Sequence, residues 1–304
     1  MRTRRAGGFN APAPTMSLVP WRDPRGRFSF FKLAVLAALV LPGLWTVGMA
    51  LGGGFAHSVL PSLIYYSGIW SLWALLACLA VTPLSQIGAW HSLVWVRRQL
   101  GVGALVYALL HVLAYVAIRR ADWLAMAGEI VGRWSIAIAT VATLGLLALG
   151  LTSTDGAARR LGGRRWKRLQ STVYAWAPLG LLHFLLSPLA VGPLPFVMLG
   201  CLGWLLAWRV LARSRHRPGR ARATAELLGL TVAVALLTAG FEIVWLDWVQ
   251  DLPPTLIAMA NFELDLGLSA LWTVGLMGLA VAAWGRWRQR HLHGSRARPA
   301  HPLR

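Results

Sequence analysis

Two histidines lie inside stretches of sequence that are otherwise almost wholly apolar. His111 falls in VYALLHVLAY and His183 falls in LGLLHFLLSP. An imidazole in hydrocarbon needs a partner for its ring nitrogens, so each ring is either hydrogen-bonded within the protein or bound to something else. The other six histidines lie in predicted loops or tails. The two buried histidines are therefore the first candidates for chemistry.

The composition is that of an integral membrane protein. Of 304 residues, 57% are hydrophobic and 13% are charged, and the 17 tryptophans and 31 glycines suit membrane interfaces and close helix contacts. The net charge of +20 lies in segments between apolar runs, so it reflects orientation in the bilayer, and no nucleic acid partner is expected. Cys78 and Cys201 lie in apolar runs without a C-x-x-C pattern, so neither a disulfide, a zinc site nor covalent haem attachment is predicted.

The apolar runs predict an all-α, polytopic bundle of eight transmembrane helices. Each run has about the 17 to 25 residues needed to cross the hydrocarbon core. The predicted spans are 28–50, 63–82, 101–118, 134–152, 172–188, 194–212, 224–246 and 266–284.

Positive charge is distributed unequally between the two sides of this bundle. Of the 30 lysines and arginines, 27 fall on one side and three, Arg119, Arg120 and Arg133, fall on the other. The positive-inside rule then places both termini in the cytoplasm, with an even number of spans between them. We expect the bundle to lie in a bacterial inner membrane. The basic segments 1–27 and 286–304 are expected to be disordered tails along the anionic lipid surface.

The two buried histidines share a depth in the predicted bundle. His111 lies seven residues and His183 five residues before the outer end of the third and fifth spans, which run in the same direction. Two imidazoles on neighbouring helices can hold a porphyrin iron from its two faces, as in a b-type haem, and this ligation suits electron transfer. The alternative is that each ring hydrogen-bonds a carbonyl or a hydroxyl group within the bundle.

Four stretches resemble one family of membrane proteins. They are WALLACLAVTPL (73–84), RRQLGVGALVYALLHVLAY (97–115), LALGLTSTDGAARRLGGRRWKRLQSTVY (147–174) and LLHFL (181–185). They resemble the haem-binding membrane subunits of the periplasmic methionine-sulfoxide reductase system (MsrQ, or YedZ), which belong to the ferric-reductase-like transmembrane family. The resemblance implies a six-span haem-binding domain at 28–212. Two additional spans then lie at 213–285, between the basic tails 1–27 and 286–304.

The resemblance also assigns haem ligands. It implies that His111 on the third span and His183 on the fifth span ligate a b-type haem. The family has an earlier histidine on the fifth span where this chain has Gln170. A carboxamide is a poor ligand for haem iron, so a second haem near the cytoplasmic side is in doubt. Arg97 and Arg98 lie at a similar inner depth, where they either meet haem propionates or anchor the helix end at the headgroups.

Two further residues have both a functional and a structural interpretation. Tyr107 lies one turn before His111, and Tyr115 one turn after it, so that either can share its helix face and hydrogen-bond near a metal site or simply pack there. Glu242 lies in the seventh span near its outer end, where it is either a proton relay for quinol oxidation or a carboxylate with access to outside water.

We therefore expect an electron-transfer subunit of an oxidoreductase system that binds at least one haem b. The resemblance implies a periplasmic, molybdenum-containing reductase as electron acceptor. The donor is either the quinol pool or a cytoplasmic flavin reductase, with quinone or FMN as possible further cofactors. The alternatives are a stand-alone transmembrane ferric reductase, and a haem-free membrane protein that serves as a scaffold or in assembly.

Overall fold

The secondary structure of the chain is helical. The computed structural model describes residues 21–23, 25–55, 58–188, 190, 192–213, 220–263 and 267–294, with the side chains of 220–222 and 292–294 left out. One isolated bridge joins Arg22 to Phe28. The helices are α1 (Phe30–Leu51), α2 (Val59–Ile87), α3 (Arg97–Ile118), α4 (Trp123–Gly132), α5 (Trp134–Leu151), α6 (Asp155–Leu161), α7 (Gly163–Ser171), α8 (Val173–Leu185), α9 (Leu194–Arg213), α10 (Arg220–Gln250), α11 (Pro254–Ala260) and α12 (Ala270–Gly294), and a 3-10 helix (His91–Val96) leads into α3.

Six helices among the described residues are long and apolar enough to cross a membrane. They are α1, α2, the 3-10 helix together with α3, α5, α9, and residues 223–250 of α10. The predicted count of eight is not confirmed. The fifth predicted span contains α8, which has 13 residues and so is about 20 Å long. The eighth predicted span corresponds to α12, whose last third carries three arginines.

The prediction that residues 286–304 form a disordered tail was wrong for residues 286–294, which are helical. Helix α12 continues to Gly294, and residues 295–304 lie outside the described residues, as do residues 1–20 of the other tail. Side chains near the end of α12 hold it against the end of α2: Arg288 Nε donates to the Gly88 carbonyl at 3.1 Å, and Gln289 Nε2 donates to the Ile87 carbonyl at 2.9 Å. These bonds satisfy carbonyls at a helix end, and they explain why the charged segment is helical.

Helices α2 and α9 lie at the centre of the bundle. Half of the residues in the most apolar stretch of each are buried, whereas 6% are buried in α1. The main core is formed chiefly by α2, α8 and α9, with Ala104 of α3 and Leu149 of α5 packed into it. A helix as apolar as α1 with so little buried surface is suited to lipid contact.

The last helices pack against α9 through a second core. This core joins α9 to α10 and α12 around Trp204 and Val274, which are 1% and 0% exposed. The indole of Trp204 donates to Thr231 Oγ1 at 3.0 Å. Gly200 allows the close approach, because a Cβ there would overlap Val274 and would lie 2.8 Å from Thr238 Oγ1. Helix α9 therefore connects the two parts of the bundle.

Candidate functional site

The structure brings the two predicted histidines together. His111 projects from the middle of α3 and His183 from the last turn of α8, and their ring centroids lie 6.1 Å apart with an angle of 81° between the ring planes. The rings reach this position because both helices pack on α2. Their assignment as metal ligands stays a prediction.

A backbone carbonyl from a neighbouring helix holds each imidazole. His111 Nδ1 is 2.7 Å from the Ile64 carbonyl of α2, and His183 Nδ1 is 2.8 Å from the Ser135 carbonyl of α5. A carbonyl oxygen only accepts, so Nδ1–H is the donor in both bonds. In the neutral imidazole the lone pair then lies on Nε2. Metal-binding histidines in proteins are oriented in the same way.

The separation of the rings fits a metal held between them. With metal–nitrogen bonds of about 2.0–2.1 Å and a five-membered ring of about 1.1 Å radius, two imidazoles on opposite sides of a metal have centroids about 6.2–6.4 Å apart. The observed 6.1 Å is close to this range. The angle of 81° is compatible too, since each ring can adopt any rotation about its own metal–nitrogen bond.

The number of protein ligands favours a metal that is already coordinated by a cofactor, such as the iron of a haem. Within the described part of the chain, no group of three or more His, Cys, Asp or Glu side chains comes together. A structural zinc site takes four protein ligands, whereas the iron of a haem takes four nitrogens from the porphyrin and needs only two axial ligands. Two facing imidazoles therefore fit a haem better than they fit a bare metal ion.

A glycine on α2 gives the His111 ring its space. A Cβ added at Gly68 would lie 3.0 Å from Nδ1 and 3.2 Å from Cε1 of His111, closer than an ordinary contact. Gly68 lies one turn after Ile64, whose carbonyl holds the same ring. The sequence does not reveal this role, because a backbone carbonyl carries no residue-specific signal and the single glycine of α2 does not by itself indicate which side chain packs against it.

The two arginines at the start of α3 lie about four turns from the histidines. Arg98 forms an ion pair with Asp155 at the start of α6, with an Nη1–Oδ1 distance of 3.0 Å. The backbone carbonyl of Arg97 accepts a hydrogen bond from Cys78 Sγ at 3.4 Å. For Arg98 these contacts support anchoring of the helix end. Binding of a cofactor by Arg97 and Arg98 stays a prediction.

Tyr107 and Tyr115 have partners other than the histidines. The Tyr107 hydroxyl donates to the Leu39 carbonyl of α1 at 2.6 Å. The Tyr115 hydroxyl donates to the Glu129 carboxylate of α4, which also pairs with Arg119. Both contacts connect α3 to neighbouring helices. The prediction that Tyr107 binds a cofactor gains no support from them.

Gln170 lies in α7 and is bonded to the end of α5. Its Nε2 donates to the Leu149 carbonyl at 3.1 Å and to Thr152 Oγ1 at 3.2 Å. The indole of Trp166, one turn earlier, donates to the Thr152 carbonyl at 2.8 Å. Gln170 therefore acts as a link between two helices, and its role in cofactor binding stays a prediction.

Comparison with known proteins matches the chain to one family model and to several relatives. Residues 67–181 match the family model "Ferric reductase like transmembrane component"; this range contains His111 and ends two residues before His183. The chain is 38% identical over 207 residues to the protein-methionine-sulfoxide reductase heme-binding subunit MsrQ of Rhodospirillum rubrum, covering 67% of this chain and 97% of that protein.

Two further relatives extend this picture. The MsrQ subunit of Azospira oryzae is 36% identical over 191 residues, which cover 62% of this chain and 82% of that protein. The magnetosome protein MamZ of Paramagnetospirillum magneticum is 33% identical over 186 residues, covering 59% of this chain and 29% of that protein. No solved structure matches the chain.

Proposed function

Because this chain belongs to the MsrQ family of haem-binding subunits of protein-methionine-sulfoxide reductases, we propose that His111 and His183 bind a b-type haem between α3 and α8. The chain is a multi-pass protein of the bacterial inner membrane with a role in electron transfer. In the proposed function it passes electrons to a periplasmic, molybdenum-containing methionine-sulfoxide reductase.

The facing histidines are the observation that carries this proposal. Their ring centroids lie 6.1 Å apart, and both Nδ1 atoms are hydrogen-bonded to backbone carbonyls, which leaves Nε2 of each ring available to hold a haem. A haem held there by His111 and His183 would supply one-electron oxidation and reduction.

The protein's own groups would keep the site rigid and dry. The carbonyls of Ile64 and Ser135 fix the tautomer and the rotation of the rings, and they belong to helices that pack against α3 and α8. The side chains of His111 and His183 lie among apolar helices, where water is scarce. A rigid, low-polarity site limits the reorganisation that accompanies electron transfer.

We further propose that electrons come from the quinol pool. Oxidation of one quinol to quinone releases two electrons and two protons, and reduction of one sulfoxide to a thioether consumes two of each and releases water. A cytoplasmic flavin reductase with FMN would deliver electrons at the other face, where the family's inner histidine is replaced by Gln170. That glutamine donates to α5, so a second haem as an intermediate step is not expected.

The proposed topology has eight spans with both termini in the cytoplasm. The charge distribution supports it, since 27 of the 30 lysines and arginines fall on one side under this arrangement. Packing supports it as well, because α8 lies in the main core and α12 packs against both α9 and α10. A short helix such as α8 can lie at membrane depth when protein surrounds it.

Haem stoichiometry and ligand variants test the proposal. A pyridine haemochrome assay on the purified protein is expected to give one b-type haem per chain. His111→Ala and His183→Ala should each abolish the low-spin spectrum. His91→Ala is the matched control, because His91 is exposed in the 3-10 helix before α3, and it should leave the spectrum unchanged.

Other outcomes would favour the alternatives. A normal low-spin spectrum in either ligand variant would refute the assignment. Purified protein without a Soret band, after expression with ample haem, would favour a haem-free scaffold or assembly role. Rapid reduction of ferric ion by the isolated subunit, without a periplasmic partner, would favour a stand-alone ferric reductase.

A further inference from the structure

A cavity of about 810 Å³ lies at the end of the bundle that contains His183. It forms where the ends of α8 and α10 meet the start of α9, α11 and the residues before α12. Most of its wall is apolar, including Phe196, Trp245 and Val249. We call it the Glu242 cavity, after the carboxylate in its wall. Helices α10 to α12 build much of it, so the last part of the chain creates a space that the first nine helices alone do not enclose.

Two buried side chains in this wall each keep an unpaired oxygen. Glu242 is 7% exposed and Asn261 is 6% exposed. Glu242 Oε2 and Asn261 Oδ1 have no hydrogen-bond partner in the described part of the protein. An unpaired buried acceptor is costly, because it has lost its hydrogen bonds to water without gaining a partner in the protein. A ligand that donates hydrogen bonds here would remove two such costs.

The asparagine is held in a fixed orientation. Its Nδ2 donates to the Ile257 carbonyl at 3.1 Å. Because a carbonyl only accepts hydrogen bonds, the amide nitrogen must face Ile257, and Oδ1 is the amide atom on the other side. Its backbone carbonyl accepts from Trp272 Nε1 at 3.0 Å and from Ser269 Oγ at 3.2 Å. Asn261 therefore presents a preorganised acceptor beside Glu242.

The described wall of the cavity also carries one cation and one carboxylate. Arg133 and Glu242 are the charged residues among its described lining residues. The side chain of Arg133 is 50% exposed, and its ion pair with Glu129 is loose, with an N–O distance of 3.9 Å. An uncharged ligand would leave Glu242 without a cationic partner and Arg133 with only this loose ion pair, whereas a zwitterion with an ammonium and a phosphate group would complement both side chains.

The depth of Glu242 suits a lipid headgroup. Helix α10 has 31 residues and is about 46 Å long, so it exceeds a hydrocarbon core of about 30 Å by about 8 Å at each end when centred. Glu242 lies eight residues before the end of the helix, or about 12 Å along it. The carboxylate then lies about 4 Å inside the hydrocarbon boundary, within reach of a headgroup that enters the cavity.

We propose that the Glu242 cavity binds a phospholipid with a phosphoethanolamine headgroup. The primary ammonium donates to Glu242 Oε2 and Asn261 Oδ1, and Arg133 pairs with the phosphate. The acyl chains lie along the apolar wall and continue into the bilayer. The proposed contacts do not include His111 or His183, and two of the three residues that make them, Glu242 and Asn261, follow α9.

Two lipids that differ only in their donors test the proposal. The purified, delipidated full-length protein is titrated with phosphatidylethanolamine or with phosphatidylcholine of the same acyl chains, and bound lipid is counted by native mass spectrometry. The quaternary ammonium of phosphatidylcholine has no N–H group. We expect about tenfold tighter binding of phosphatidylethanolamine, as the loss of a charge-assisted hydrogen bond predicts.

Three variants assign the contacts. Glu242→Gln should abolish the preference between the two lipids, and Asp247→Asn, an exposed carboxylate on the same helix, should keep it. Arg133→Gln should weaken the binding of both lipids to the same extent, because both carry the phosphate group. An unchanged far-ultraviolet circular dichroism spectrum and an unchanged midpoint of thermal unfolding serve as the check that each variant has folded.

Three results would overturn the proposal. Equal binding of both lipids by the wild-type protein would show that the ammonium is not recognised, and so would an undiminished preference in Glu242→Gln. The third result is a competition in which a short-chain hydroquinone displaces bound phosphatidylethanolamine at a lower concentration than added lipid of either kind does. This result would show that the occupant is a dihydroxy aromatic molecule.

Discussion

Replacing Gly68 with alanine is expected to displace the His111 ring. The added Cβ would lie 3.0 Å from Nδ1 and 3.2 Å from Cε1 of the imidazole. Heavy atoms in ordinary contact are about 3.5 Å apart or more, so the ring has to retreat by about 0.3–0.5 Å. Gly68 lies in the middle of α2, where the backbone has little freedom to move instead.

The size of the effect follows from what the retreat disturbs. The bond from Nδ1 to the Ile64 carbonyl is 2.7 Å long, and lengthening it weakens the contact that orients the ring. Changes to groups that orient a metal ligand weaken metal binding about 10- to 100-fold. This range corresponds to about 1.4–2.8 kcal/mol, which exceeds the net value of about 1 kcal/mol for one hydrogen bond.

Transfer of haem to a soluble acceptor protein measures this effect. Gly68→Ala should release haem about 10 to 100 times faster than the wild-type protein, with a high-spin component in the visible spectrum. Gly240→Ala is the control, because a Cβ there has nothing within 4 Å and the glycine also lies inside a long apolar helix. Wild-type release and spectrum in Gly68→Ala would refute the position assigned to the His111 ligand.

Three further variants test the surroundings of the site. Gln170→His should leave the haem stoichiometry at one, because the glutamine links α7 to α5; a stoichiometry of two would show that the inner haem site is still open. Arg98→Met should lower the free energy of unfolding by only about 0–1 kcal/mol, because the ion pair of Arg98 with Asp155 is partly exposed. It should not change the midpoint potential of the haem, and a changed potential would place Arg98 near a haem propionate. Trp204→Phe removes the hydrogen bond to Thr231, so it should lower the free energy of unfolding by about 1–2 kcal/mol, as measured by thermal unfolding. The visible spectrum should not change, and an altered spectrum would contradict the separation of the two cores.

The sequence was most informative about elements with strong periodicity or composition. Six of the predicted spans correspond to helices that are long and apolar enough to cross a membrane, because an apolar run of this length has few other stable structures in lipid. The fifth predicted span, 172–188, begins within one residue of α8 (Val173–Leu185), because the apolar pattern starts at this point. The 13 residues of α8 are nevertheless fewer than a helix needs to cross the hydrocarbon core.

Contacts between distant segments could not be predicted in the same way. The extension of α12 to Gly294 depends on bonds to the end of α2, about 200 residues earlier in the chain. The partners of Tyr107 and Gln170 are likewise backbone carbonyls on other helices. A carbonyl carries no residue-specific signal, so only the packing of the helices identifies it. The Glu242 cavity is a further example, since it is formed by five separate segments.

Sequence alone determined which two histidines lie in apolar helices and at which depth, because depth along a helix follows directly from residue number. It also determined the asymmetry of charge and the resemblance to haem-binding membrane subunits. Only the tertiary structure decided that His111 and His183 face each other at 6.1 Å and that their Nδ1 atoms are bonded to Ile64 and Ser135. The physical reason is that the direction in which a side chain points around its helix depends on how neighbouring helices pack, and this packing involves residues throughout the chain.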